Sequence, residues 1–182
     1  MTKWFTADLH FDHKNMLLFY PETRGLFKNV DELGEYMVEM WNTHVEKSDE
    51  VYYLGDFTLG DWKTAQKWWI RLNGTIYAIY DKTTHDKHWV KQAVSHPMFS
   101  RNGLVIPIPP IHEIKIDHFR IMLSHYPLEH WTWGIHLHGH SHGKSRIIQG
   151  RLDVGVDTCG FKPWSWEMIR GYFENYIKEN LK

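Results

Sequence analysis

The chain has 182 residues, 21 Lys and Arg against 22 Asp and Glu, and a single cysteine. That length suits one domain spanning residues 1–182 with a sizeable core, and falls short of the roughly 250 residues of a (β/α)8 barrel. Without a basic surplus no extended nucleic-acid binding is expected; Cys159 cannot form an internal disulfide, and no apolar run approaches the ~20 residues of a membrane span. Met1-Thr-Lys-Trp runs into a strand rather than a signal peptide, so the expectation is a cytoplasmic protein with no membrane contact.

In chain order, Trp4-Phe5-Thr6-Ala7 reads as a buried strand that ends in Asp8-Leu9-His10, and Phe11 to Asn15 as a polar helix start or loop. Asp31 is placed to cap a helix with Leu33, Met37, Trp41 and Val45 on one stripe. Glu50 to Leu54 is a β-rich run ending in Gly55-Asp56. Asp61 to Leu72 predicts a helix stopped by Asn73-Gly74, with Trp68 and Trp69 covering the sheet. Thr75 to Tyr80 predicts a third strand, followed by Asp81-Lys-Thr-Thr-His85-Asp86. With three prolines and a glycine, Asn102 to Pro110 reads as a loop. Glu113 to Ile116 and Phe119 to Leu123 predict a hairpin about Asp117-His118, which makes His118 a turn residue, and Ser124-His125 follows. Ser145 to Ile148 and Leu152 to Val156 predict a strand pair about Gly150. After Ser165 comes a helix with Ile169, Tyr172, Phe173, Tyr176, Ile177 and Leu181 on its apolar face. Interleaved strands and helices make the class α/β.

The chemistry concentrates in His136-Leu-His138-Gly139-His140-Ser-His142-Gly143, with a histidine at every second position. In an extended segment i and i+2 share a face, and neutral imidazole is the commonest metal ligand, so His140 and His142 can serve one point at a strand end. A solvated His cluster is the plainer alternative, opposed by the apolar flanks Trp131, Trp133, Ile135 and Leu137. An Asp or His follows every predicted strand named above from Trp4 to Leu123, as when strand ends of one sheet converge on a crevice.

Asp8-x-His10, Gly55-Asp56, a Gly-Asn-His-Asp-like segment at Asp81 to Asp86, the isolated His125 and Gly139-His140-x-His142 together resemble the calcineurin-like metallophosphoesterases, over nearly the whole chain. The resemblance implies two mixed β-sheets packed as a sandwich flanked by helices. It also implies two divalent metal ions, one held by Asp8, His10 and His142, the other by His125 and His140, with Asp56 bridging. Manganese is the first choice, with Fe, Zn, Co or Ni as alternatives. His85 would then stand over the phosphate as the catalytic residue, with Asp86 a candidate to orient it. The sequence departs from the family at its third motif, where the asparagine ligand is missing. Asp81 is the candidate replacement, and Thr84 a poor one. His13 and Asn15 match family positions near the substrate phosphate, or are ordinary polar residues at a helix start.

The implied activity is hydrolysis of a phosphodiester or phosphomonoester: a nucleotide, a cyclic phosphodiester or an oligonucleotide end, attacked by a metal-activated water. Trp131, Trp133 and Trp164 are either base-stacking platforms or core. The other functional class is a degenerate binding or scaffolding module with one or no metal.

Overall fold

The computed structural model describes residues 1–93, 95–100, 103–146, 148–174 and 176. Among these residues nine strands form two sheets. The first is ordered β4 (Val105–Ile108), β3 (Thr75–Ile79), β2 (Glu50–Tyr53), β1 (Lys3–Thr6) and β9 (Trp164–Ser165). β1 through β4 run parallel, in a register that sets Trp4 beside Val51, Val51 beside Ile76 and Ile76 beside Val105, and β9 is antiparallel to β1. The second sheet is ordered β5 (Ile111–Ile116), β6 (Phe119–Ser124), β7 (Ile135–His138) and β8 (Arg151–Asp153), with an antiparallel β5/β6 hairpin and parallel pairs beyond it.

Side-chain alternation along the strands decides what each face meets. Phe5, Tyr52, Leu54 and Ile79 of the first sheet face Ile121, Leu123, Ile135 and Leu137 of the second in one buried cluster. Val51, Tyr53, Ile76 and Ala78 point the other way. Against them lie α2 (Val30–His44), α3 (Trp62–Trp69) and α4 (Lys87–Ala93), through Leu33, Met37, Trp41, Trp68, Trp69 and Trp89. A short α1 (Met16–Phe19) precedes them, and α5 (Trp166–Tyr172), next to β1 and β9, adds Ile169 and Phe173 to the inter-sheet core. The sandwich is thus flanked by helices, as expected.

Several expectations need correction. Asn29, not Asp31, caps α2, its side chain accepting from Glu32 N, while Asp61 and Ser165 cap α3 and α5. The 102–110 loop contains strand β4; Pro107 is tolerated because β4 is an edge strand, where a missing N–H interrupts no central ladder. Asn102 itself lies outside the described residues. Ser145, Arg146 and Ile148 are not in a strand, and residue 147 is outside the described set. β8 instead pairs parallel with β7, and the side chain of Arg151 ties the preceding segment down by donating to the carbonyls of Leu128 and Arg146. Of the last helix's apolar face, Ile177 and Leu181 lie outside the described residues, and Tyr172 is exposed. His118 is exposed in the β5/β6 turn, as expected. Among the described residues no helix is long and apolar enough to cross a membrane.

Candidate metal centre

The strand ends of β1 and β2 do not stop pairing where the strands stop. Asp8 N donates to Gly55 O, His10 N to Asp56 O and Phe11 N to Phe57 O, so the loops after both strands continue side by side. Two stacked pairs anchor them from below: Phe11 on Trp68, with centroids 4.3 Å apart, and Phe57 on Trp69, 3.5 Å apart. The aromatic residues of α3 are therefore core packing that fixes the loops bearing Asp8, His10 and Asp56.

Two groups of ligand-type side chains result, Asp8, His10 and His142 in one and Asp56, His125 and His140 in the other, each with one donor atom per residue within 4.8 Å of its fellows. Five of these six residues, all but His125, have a positive φ of between 48° and 68°. For a residue with a Cβ that backbone costs roughly 1–3 kcal/mol, and such strain gathers at functional sites. It also changes how the spacing is read. His140 and His142 share no strand face; left-handed turns at both send His140 to one group and His142 to the other. Gly139 sits between strand and turn because a Cβ there would come within 2.5 Å of Ala7 Cβ and 2.9 Å of Asp8 Oδ2. Gly55, at φ +107°, makes room for the His125 ring, 2.9 Å from where its Cβ would stand.

Asp56 lies between the groups. Its Oδ2 is 3.5 Å from His10 Nε2 and 3.5 Å from His125 Nε2, while its Oδ1 accepts from the backbone N of His85. Both nitrogens of His10 and the Nε2 of His125 are buried with no hydrogen-bond partner. Buried imidazole nitrogens without partners, set among carboxylates, include the lone pairs that a divalent cation satisfies, so the residues fit a metal. The electrostatics agree. Burial raises the Asp8 carboxyl well above its usual range, helped by the neighbouring Asp153, and raises Asp56 to about 6. Burial also lowers His10 well below its usual range and His125 to about 3, keeping both imidazoles neutral.

His142 is held from behind. Its Nδ1 meets Asp157 Oδ2 at 2.6 Å, which leaves Nε2 for a ligand. Asp157 in turn accepts from Nε and Nη2 of Arg24, which is fully buried and also donates to the carbonyls of Asp8 and Leu9. Burial opposes ionisation of Asp157, but the bonds from His142 and Arg24 outweigh it and hold the carboxyl well below its usual range. Asp157→Asn is therefore expected to weaken metal binding at the Asp8/His10/His142 group by about 10- to 100-fold, the usual worth of such a partner, and to spare the other group. Competitive chelator titration would show this as one weakened and one unchanged equivalent.

His85 is 44% exposed and stands above the two groups, its Nε2 3.8 Å from Asp56 Oδ2 and its ring 5.2 Å from that of His10. His13 packs nearby, 5.6 Å from His10 and 5.9 Å from His85, with Nδ1 buried and unpartnered. Asn15 is exposed ahead of α1 and makes no capping bond. Asp81, the candidate to complete the second group, is not among its three ligand-type side chains. Its Oδ1 accepts from the N and Oγ1 of Thr83, closing the carboxylate onto its own loop. Thr84 is likewise engaged, donating to Asp81 O.

Nor does Asp86 orient His85. Its Oδ1 accepts from Phe57 N at 2.7 Å, Thr58 N at 3.2 Å and Trp89 Nε1 at 2.7 Å, so it braces the Asp56 loop. Asp86→Ala is expected to cost about 3 kcal/mol by stranding these donors, and Asp86→Asn, which keeps an oxygen, to recover most of it, as read by urea unfolding. Burial and then Asp56 raise Asp86 to about 7. In metal-free protein its contribution to stability is therefore full below about pH 4 and lost as pH rises through about 7.

The first two histidines of the alternating run are structural. His136 Nε2 bonds Ser124 Oγ, and His138 Nδ1 lies 2.7 Å from Gly139 O. Trp131 packs on His136, Trp164 Nε1 donates to Thr158, and Trp133 is 64% exposed before β7. Arg24, Asp157 and Tyr126, whose ring lies edge-on to His125 and His140, escaped the sequence reading. Asp157 directly follows the predicted strand Leu152 to Val156, and nothing in the sequence around Arg24 signals a buried cation.

No family model matches the chain. An uncharacterized protein of Methanocaldococcus jannaschii is 26% identical over 178 residues, covering 91% of this chain and 88% of that protein. The Gene 66 protein of Mycobacterium phage L5 is 27% identical over 186 residues, covering 86% and 87%. A protein of unknown function from Aquifex aeolicus has a crystal structure similar to this fold, with a TM-score of 0.70, 22% identity and coverage of 94% of this chain and 98% of that one. An archaeal phosphodiesterase, 18% identical and matched over 85% of this chain and 84% of its own, superposes with a TM-score of only 0.45.

Proposed function

We propose that the protein is a phosphoesterase using two divalent metal ions, with manganese the first choice, acting on a small phosphate ester such as a nucleotide, a cyclic phosphodiester or an oligonucleotide end. The observation that carries this reading is the position of Asp56, whose Oδ2 is equidistant from buried, unpartnered imidazole nitrogens of both groups. The order of motifs, resembling the calcineurin-like metallophosphoesterases, supports it. Asp8, His10 and His142 would hold one ion, His125 and His140 the other, and Asp56 both. Bound there, two cations neutralise phosphate charge and lower the pKa of an attacking water.

The chain's own groups do the rest. The left-handed turns preset the ligands, so that little reorganisation accompanies binding. His85 is exposed enough to reach a phosphate oxygen above the two groups, where its imidazole would stabilise the developing charge or pass a proton to the leaving oxygen; partial burial, with Lys87 and His142, lowers its pKa, so the protonated form gains weight only as pH falls or as phosphate charge gathers beside it. His13, packed beside His10 and His85, lines the same side and is a candidate to bind a phosphate oxygen. Asn15 is a weaker candidate for that contact.

One observation favours a binding module with one ion. With Asp81 and Thr84 engaged in their own loop, the second group consists, among the described residues, of Asp56, His125 and His140. Metal analysis of the purified protein, alongside hydrolysis of an aryl phosphodiester with and without added manganese, separates the two. Two equivalents with turnover favours the enzyme; one or none without turnover favours the module.

A further inference from the structure

Beside the Asp8/His10/His142 group a cleft of about 310 Å³ opens between residues Phe19 to Thr23 and His142 and Lys144, with Asp157 also in its lining. That volume is at the low end of small-molecule sites and matches one nucleoside-sized group better than a bare phosphate or a polymer. Its layers are ordered outward from the metal side. The Tyr20 ring stacks on the His142 ring at 4.3 Å and 24°, and Lys144 Nζ lies 4.4 Å from the Tyr20 centroid.

The charges divide the cleft. Arg24 is spent on Asp157 and buried behind it. Lys144 is exposed and has no carboxylate within ion-pair distance among the described residues, so its ammonium is the cation offered to a ligand. Glu22 also lines the cleft, and as an acceptor it suits hydroxyl or amino donors rather than an anion. Phe19, 58% exposed, supplies an apolar part of the lining.

Building on the proposed function, we infer that this cleft binds the nucleoside esterified to the scissile phosphate and places a further phosphate of the same molecule on Lys144. The substrate class is then a linear nucleotide ester with at least two phosphates, such as an oligonucleotide end, rather than a cyclic mononucleotide, which has no second phosphate to offer. Lysine acts at such a site as a point charge for phosphate.

The test is calorimetric binding to metal-loaded protein of a nucleoside 3′,5′-bisphosphate, the two corresponding monophosphates and inorganic phosphate, with metal content measured in each sample. Wild type is expected to bind the bisphosphate at least about tenfold more tightly than either monophosphate, the worth of one charge-assisted contact. Lys144→Ala, an exposed position that does not threaten folding, should erase that difference, and Lys144→Arg should keep it. Equal affinities in wild type, or a difference that survives in Lys144→Ala, would overturn the subsite while leaving the metal reading intact. Failure to take up metal would remove both.

Discussion

Asp56→Asn is expected to abolish turnover and to weaken metal binding at both groups together. The asparagine oxygen would keep the bond from His85 N, which leaves its NH2 at the Oδ2 position, a donor facing His10 Nε2 and His125 Nε2 at 3.5 Å. A bridging anion is thus replaced by a neutral group of the wrong polarity, and loss of the two-ion arrangement removes charge neutralisation and water activation at once. Misfolding would not be the cause: burial raises Asp56 to about 6, so a neutral side chain is better tolerated by the metal-free fold, whose thermal midpoint should match or exceed wild type. Metal analysis with the aryl diester assay checks the outcome. Near-normal activity would remove Asp56 as a shared ligand.

His85→Ala is expected to behave differently, cutting the rate by roughly 10²- to 10⁴-fold while metal content stays at the wild-type level. The contrast has a structural basis. What His85 gives to the metal groups is its backbone N–H on Asp56 Oδ1, and alanine retains it. The imidazole belongs to neither ligand group, standing 44% exposed above them. Loss of one metal equivalent in this variant would make His85 a ligand instead.

The contrast between these residues shows which parts of the site could be read in advance. Asp8, His10, Asp56, His125, His140 and His142 were legible because ligands delivered from strand ends leave short, local spacings in the chain. How they converge was not. The spacing suggested shared faces of extended chain, whereas the backbone turns left-handed at five of them, a choice set by the close approach of the Asp8, Asp56 and His140 loops. Arg24 and Asp157 meet across 133 positions, so no local pattern announces the pair that orients His142. Asp81 was a reasonable candidate by position, but the hydroxyl and N–H of Thr83 two residues on capture its carboxylate. In the fold, short apolar β-rich runs located β1, β2 and β3, and apolar alternation located β5 and β6. β4 was missed because Pro107 disguises an edge strand, and β8 was given the wrong neighbour because Ser145 to Ile148 carries a strand's composition and lies closer in sequence than β7, the strand β8 pairs with.

Whether two ions share Asp56 can be seen by anomalous diffraction from crystals of the manganese-loaded protein. The account predicts two peaks roughly 3.5–4 Å apart, one on Asp8, His10 and His142, the other on His125 and His140, with an Asp56 oxygen within bonding distance of both. A single peak, or peaks away from Asp56, would contradict it.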